Sequence, residues 1–329
     1  MNATPYLSVV LPCYNEGLVI EETHRRVASV CQGISRPYEI IVVNDGSSDD
    51  SWNKLEKLCA RDPNLVAVNL SRNHGHQLAL SAGLHFAGGE RILIMDADLQ
   101  DPPELLGEML AKMDQGAEVV YAQRRSRPGD ARLKRLFCAV YYRFLREMAE
   151  GPIQLDSGDF RLINRRVASL IVAMPERHRF IRGMVSWVGF RQEPVFYDRD
   201  PRFAGETKYP FGKLVRLAMD GLISSSLKPL KFGFIVGAVA SVASGLLGCY
   251  TLASWLFVNK TPQGWTSLLL AIAFFGGLQL LVLGILGEYV GRTFEQTRGR
   301  PIFLVDRVVR RQTPPTEINP PTRGSPQRL

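Results

Sequence analysis

Arg91-Ile92-Leu93-Ile94-Met95-Asp96-Ala97-Asp98-Leu99-Gln100-Asp101-Pro102-Pro103 is an apolar run that breaks onto two aspartates. Ile92–Met95 has the length and composition of a buried strand. Asp96 and Asp98 alternate along the chain, so they point the same way as it leaves the sheet. Two carboxylates at a strand's carboxyl end suit a hard divalent ion that keeps further oxygen ligands from a diphosphate. That edge of an open α/β sheet is also where ligands collect. A bare Asp-x-Asp fits an acidic, solvated turn equally well, so the neighbouring segments decide between the two.

Outward from this stretch, strand-like runs appear at Tyr6–Leu11, Glu39–Asn44, Val66–Leu70, Arg91–Met95 and Glu118–Ala122. Helix-like patterns lie between them at Glu16–Gln32, Asp49–Ala60, His76–Phe86 and Glu104–Gln115. Ser48 or Asp49 is placed to cap the second helix, and Pro102-Pro103 sits where a helix start tolerates proline. This alternation predicts an α/β fold with a mostly parallel sheet covered on both faces. Right-handed crossovers put the carboxyl ends of the strands on one edge. Four polar loops then converge there: Pro12–Glu16, Asn44–Asp49, Ser71–Gly75 and Asp96–Asp98.

The chain has 329 residues, 46% hydrophobic, and a formal net charge of +8. Phe232–Val258 and Trp265–Val290 are nearly uncharged and apolar. Each is longer than the ~20 residues that span a bilayer, so two transmembrane helices are expected. Met1–Pro12 lacks the basic start and long apolar run of a cleavable signal peptide. Lys228, Lys231, Arg292, Arg298 and Arg300 flank the outer ends of the pair, and the loop between carries only Lys260. The positive-inside rule puts the catalytic part and both termini on the cytoplasmic side of the inner (plasma) membrane. Five scattered cysteines with no metal-ligand spacing read as buried thiols in a reducing compartment. The basic residues gather near the apolar segments, which favours lipid and phosphate head groups over nucleic acid.

Pro12-Cys13-Tyr14-Asn15-Glu16, Val43-Asn44-Asp45-Gly46-Ser47 and the Asp96/Asp98 pair resemble a family-2 glycosyltransferase of the GT-A (Rossmann-like) fold. Further segments narrow the resemblance: Leu70–Gln77, Met95–Pro103, Asp156-Ser157-Gly158-Asp159-Phe160-Arg161-Leu162, and Phe203-Ala204-Gly205-Glu206-Thr207-Lys208-Tyr209. With two carboxyl-terminal spans they look like the polyprenyl-phosphate glycosyltransferases. That group includes the bactoprenol (undecaprenyl-phosphate) glucosyltransferases and, more distantly, the dolichol-phosphate mannose synthases. The likeness covers about residues 6–300; the tail after Asp306 matches nothing.

The resemblance implies a nucleotide-sugar donor, UDP-glucose, and a polyprenyl phosphate acceptor. It assigns Pro12, Tyr14 and Glu16 to the base and ribose wall and Asp45 to the base edge. A carboxylate accepting the imide N–H of uracil is chemically apt, and Tyr14 has a ring to lay on the base. Asp98 is the first expected ligand of Mg²⁺ or Mn²⁺, with Asp96 shared between ribose and metal and Gln100 beside them. The ion would act as a Lewis acid on the departing diphosphate. His74 and His76 read as a donor-phosphate contact or loop packing rather than as metal ligands. Asp159 is the aspartate the resemblance makes necessary for transfer, either accepting a proton or orienting acceptor or sugar. A phosphate monoester is mostly dianionic at neutral pH, so it needs charge neutralisation more than a base. Arg124, Lys134, Arg202 and Lys208 are the candidates for that.

The expected organisation is a catalytic domain over 1–207, juxtamembrane amphipathic helices over 208–230, spans over 231–259 and 265–291, and a partly disordered tail over 292–329. Arg132–Met148 and Lys213–Leu227 have the pattern of interfacial helices. Gly233, Gly237, Ser241 and Gly245 form a small-residue stripe suited to packing on the second span or a neighbouring subunit, and a homo-oligomer is expected. Gln279, in mid-span, is expected to face protein rather than lipid. GDP-mannose or a UDP-amino-sugar remains an alternative donor. A processive polysaccharide synthase is excluded by the lack of a Gln-x-x-Arg-Trp signature around Arg179–Trp187. An inactive, membrane-tethered nucleotide-sugar-binding scaffold stays open, although Asp45, Asp96, Asp98 and Asp159 are all present.

Overall fold

A computed structural model describes residues 4–124, 157–197, 228–258, 264–311 and 313–316. They fall into two units, one holding the sheet and its helices together with the segment from Arg300, the other the two long helices. β1 (Leu7–Cys13) is buried along its whole length. It lies parallel to β2 (Tyr38–Asn44) on one side and β4 (Arg91–Ile94) on the other, with Val10 opposite both Ile41 and Ile94. β3 (Leu65–Leu70) extends the parallel set beyond β2. These strands are apolar on both faces because helices cover both faces.

On one face α1 (Ile20–Gly33), α2 (Ser51–Arg61) and α4 (Leu106–Asp114, after a 3₁₀ turn at Pro103–Leu105) bring Val27, Leu55 and Met109 onto Leu11, Val42 and Leu93. α1 buries Ile20, Thr23, Val27, Ala28 and Cys31, the spacing of a single helical stripe. On the other face α3 (His76–Phe86), α5 (Arg165–Ala173) and α6 (Ile181–Trp187) cover Val10, Ile41 and Ile94. Gly83 lets α3 close on the sheet, since a Cβ there would stand 2.3 Å from Val10 Cγ1.

The sheet has nine strands in the order β7-β5-β6-β4-β1-β2-β3-β8-β9. The central four bear out the α/β reading. β6 (Ser157–Asn164) was not among the expected strands. It runs antiparallel between β4 and β5 (Val119–Arg124), and β7 (Gln192–Tyr197) lies parallel to β5. At the other edge β8 (Val305–Arg310) pairs antiparallel with β3 and carries β9 (Thr313–Thr316). Part of the segment read as a tail therefore belongs to the sheet.

In the second unit α7 (Lys228–Val258) has 31 residues and α8 (Trp265–Thr297) has 33. Phe274–Thr297 is long and apolar enough to cross a membrane, while the apolar stretch in α7, Ile235–Tyr250, is shorter. Of the small-residue stripe, Gly233 approaches α8 at Val282, but Gly237 and Gly245 face open space. Gln279 is exposed on α8 in the single chain. Two helices alone leave most of each other's surface uncovered. The expected interfacial helices over 132–148 and 213–227 lie outside the described residues.

Candidate active site

The loops that follow β1 and β2 are laced together. Asn15 N donates to Ser47 Oγ (2.9 Å), and Ser48 N donates back to Asn15 Oδ1 (2.8 Å). Glu16 N donates to Ser51 Oγ (3.0 Å) and Gly17 N to Asp49 Oδ2 (3.0 Å). Asp49 Oδ1 also accepts from Ser51 N at the start of α2 (3.0 Å), but the N-cap residue is Asp50, whose side chain makes no capping hydrogen bond, so the expected cap at Ser48 or Asp49 is not the one used. The lacing leaves Tyr14 44% exposed at the crevice, with Pro12 buried in β1 opposite Val43 and Glu16 half-buried beside it.

Asp45 is buried, and each of its oxygens accepts a backbone hydrogen: Oδ1 from His74 N (2.7 Å), Oδ2 from Gly75 N (2.9 Å). Burial raises its pKa, against the pull of those two N–H groups. Its first task is to tie the loop after β2 to the loop after β3. A base edge would have to use its remaining lone pairs. Gly46 allows the close approach. Its φ is +65°, and a Cβ would come 2.5 Å from the Arg72 and Asn73 backbone.

The acidic turn after β4 is pinned to α1, where Thr23 Oγ1 donates to Ala97 O (2.8 Å). Leu99 takes a φ of +60°, and Gln100 N turns back onto Asp98 Oδ1 (3.2 Å). Gln100 is buried, and buried Asp101 accepts from Tyr197 Oη (2.7 Å). Asp96 Oδ1 is buried and accepts no hydrogen bond; His76 Nε2 stands 3.6 Å away. Burial pushes the Asp96 pKa up to about 7, opposed by His76 and reinforced by Asp159, Asp101 and Asp98. Among the described residues no three His, Cys, Asp or Glu side chains form a cage for a metal ion. Two carboxylates on one turn, one with a buried oxygen unspent, fit an ion that draws its other ligands from a diphosphate.

Asp159, on β6, is 9% exposed and faces a ring of donors. His76 Nε2 is 3.0 Å and Gln77 Nε2 3.1 Å from its Oδ2, and Arg182 Nη2 is 3.4 Å from its Oδ1. A carboxylate only accepts, so His76 Nε2 carries the hydrogen. Burial alone would raise the Asp159 pKa. The His76 hydrogen bond and the charges of Arg182 and Arg161 overcome that and hold it well below the usual carboxylate range. Arg161 is fully buried; Nη2 donates to Gly158 O (2.8 Å), while Nε and Nη1 have no hydrogen-bond partner. Burial lowers its pKa to about 10, which leaves it cationic at neutral pH. Gln77 spends both ends of its amide, because Oε1 accepts from Ile181 N (2.8 Å) at the start of α6.

The structure thus brings Asp96, Asp159 and His76 together. His76, Gln77, Arg161 and Arg182 are the residues the sequence reading gave no part in this cluster. One signal was available. Arg161 is two residues from Asp159 on a strand, so both share a face, and a buried carboxylate requires a cation. Of the expected acceptor residues, Arg124 ends β5 opposite Tyr197 with only its backbone described. Lys134, Arg202 and Lys208 lie outside the described residues.

Residues 8–171 match the glycosyl transferase family 2 domain. An uncharacterized glycosyltransferase of Bacillus subtilis, YkcC, is 44% identical over 91% of this chain and 93% of its own length. A prophage bactoprenol glucosyl transferase homolog of Escherichia coli K12 is 37% identical over 92% of this chain and 99% of its own. The SfII prophage-derived bactoprenol glucosyl transferase of Shigella flexneri is 36% identical over 92% and 97%. With its acidic pair at the carboxyl edge of the sheet's parallel core and relatives that align along nearly their whole length, the chain belongs to glycosyl transferase family 2.

Proposed function

We propose that this glycosyltransferase moves a hexose, glucose from UDP-glucose, onto a polyprenyl phosphate such as undecaprenyl phosphate. The reaction would take place at the cytoplasmic face of the inner membrane and supply a lipid-linked sugar for cell-envelope glycan modification. The observation that carries the reading is the meeting of Asp96 with the cation-braced Asp159 across His76, on the edge where Asp98, Asp45 and Tyr14 also lie. The bactoprenol glucosyl transferase names of relatives that align along nearly their whole length support the acceptor.

A phosphate oxygen of the acceptor forms a bond to the anomeric carbon while the bond from that carbon to the donor β-phosphate oxygen breaks. The nucleoside diphosphate leaves with the electron pair, and the sugar inverts. Such an acceptor arrives ionised and needs no strong base. Asp159, held ionised by its neighbours, is a poor proton acceptor and a good orienting group. Arg182 lends positive charge, and His76 a hydrogen-bond donor, where two anions must approach. Arg124, Lys134, Arg202 and Lys208 are proposed to hold the lipid phosphate. Asp96 and Asp98, with Gln100 behind them, would hold Mg²⁺ or Mn²⁺, which when bound offsets charge on the leaving diphosphate. Pro12, Tyr14, Glu16 and Asp45 would line the nucleotide pocket. α7 and α8 are proposed as the two spans of a homo-oligomer with both termini in the cytoplasm.

The test is a donor panel with detergent-purified protein, Mg²⁺ and polyprenyl phosphate, read by lipid extraction of radiolabelled sugar. Label should pass to the lipid from UDP-glucose. Transfer only from GDP-mannose or a UDP-amino-sugar would replace the donor. Tight nucleotide binding with no transfer from any donor would leave a scaffold in place of the enzyme.

A further inference from the structure

Just past α8 the chain returns to the sheet unit and closes on the loops of the proposed nucleotide pocket. Phe303 is 9% exposed within the second-face core, its ring edge-on to His85 at 6.2 Å between centroids. Leu304 O accepts from Ser71 N (3.0 Å), and Leu304 N donates to His74 Nε2 (3.4 Å). Asp306 Oδ2 accepts from Asn69 Nδ2 (3.0 Å), and Asn69 Oδ1 accepts from Asn44 Nδ2 (2.7 Å). Arg307 stands over the Trp52 ring and 3.3 Å from Glu56.

These links reach both parts of the Asp45 brace. Asn44 immediately precedes Asp45. Ser71 and His74 belong to the loop whose His74 and Gly75 N–H groups fill the Asp45 carboxylate. His74 takes part as a neutral ring, accepting at Nε2 and therefore protonated at Nδ1.

We propose that Phe303, Leu304 and Asp306 are positioning residues for the nucleotide. They set the Ser71–Gly75 loop and Asp45, and so the affinity for the donor's nucleoside diphosphate, without touching it. The inference rests on the reading of the Tyr14–Asp45 crevice as the nucleotide pocket. A strand that merely completed a sheet would affect stability alone. This one is bonded directly to the loop after β3, and through Asn69 it reaches Asn44, the residue before Asp45.

The experiment uses the full-length chain in detergent, UDP and GDP with Mg²⁺ as probes, calorimetry for affinity, and amide exchange over residues 71–76. Asp306→Ala should weaken binding of the preferred nucleotide about tenfold. It should also speed exchange at His74 and Gly75 and leave the unfolding midpoint nearly unmoved, since Asp306 is solvent-facing. Asp306→Asn keeps a carbonyl acceptor for Asn69 and should restore affinity to within about twofold. His74→Phe should reproduce the loss. Wild-type affinity and exchange in both Asp306→Ala and His74→Phe would overturn the inference. Tyr14→Ala separates the two readings. If it weakens nucleotide binding while the other variants do not, the pocket stands and the positioning role falls. If it leaves binding intact, or neither nucleotide binds the wild type, the pocket reading itself falls.

Discussion

Asp159 carries a full charge out of water, and its surroundings say how. His76 and Gln77 come from the start of α3, Arg182 from α6, and Arg161 from the same strand face. Removing one member of a buried charge set leaves the others uncompensated. Asp159→Asn should therefore cost roughly 3 kcal/mol near neutral pH. The sign of its pH dependence follows from the depressed native pKa. The stabilisation is complete above the ordinary aspartate range and is lost as pH falls through that range toward the lower native value. Wild-type and variant unfolding midpoints should converge between about pH 5 and about pH 2; a constant gap would show that Asp159 is not the group at work. Asp98→Asn should lower turnover by roughly 10²–10³ or more while the midpoint stays within a few degrees. Full activity in excess chelator would remove the metal assignment. Asp96 and Asp98 were legible because they follow directly on an apolar run that ends at the carboxyl edge of the sheet. Arg182 was not, since nothing in the run Arg179–Gly183 reveals that it folds back against a residue on β6.

At the level of elements, the parallel core was readable because β1 to β4 are apolar runs bounded by turn residues. β6 escaped because Asp159 and Arg161 interrupt its apolar pattern, and those charges are there for the site. The interlocking of loops was also hidden, since it depends on strand order rather than on any single loop. Gly46 is where that interlocking is tightest. Gly46→Ala would place a side chain against the Arg72 and Asn73 backbone at an unfavourable φ, and should cost about 2 kcal/mol or more. Urea unfolding should show a lower midpoint with an unchanged slope, and exchange should quicken over residues 72–75. An unchanged midpoint would mean the two loops are not held as close as described.

For the molecule as a whole, the sequence reading ended the catalytic domain before the long helices. β8 was missed because Val305–Arg310 is half charged, as an outer strand can be, and because it follows a long apolar helix. A chain stopped after residue 227 should consequently aggregate, its β3 edge uncovered. Restoring residues 300–316 through a flexible linker in place of 228–299 should return a soluble nucleotide-binding protein that uses long-chain lipid poorly. Monodisperse behaviour of the shorter chain would contradict the role given to β8. The pairing of Ala67 with Val309 also dictates an order of events during synthesis. The ribosome must release both long helices before the last strand emerges, so the nascent domain waits with an open flank, and chaperone demand should be highest in that interval.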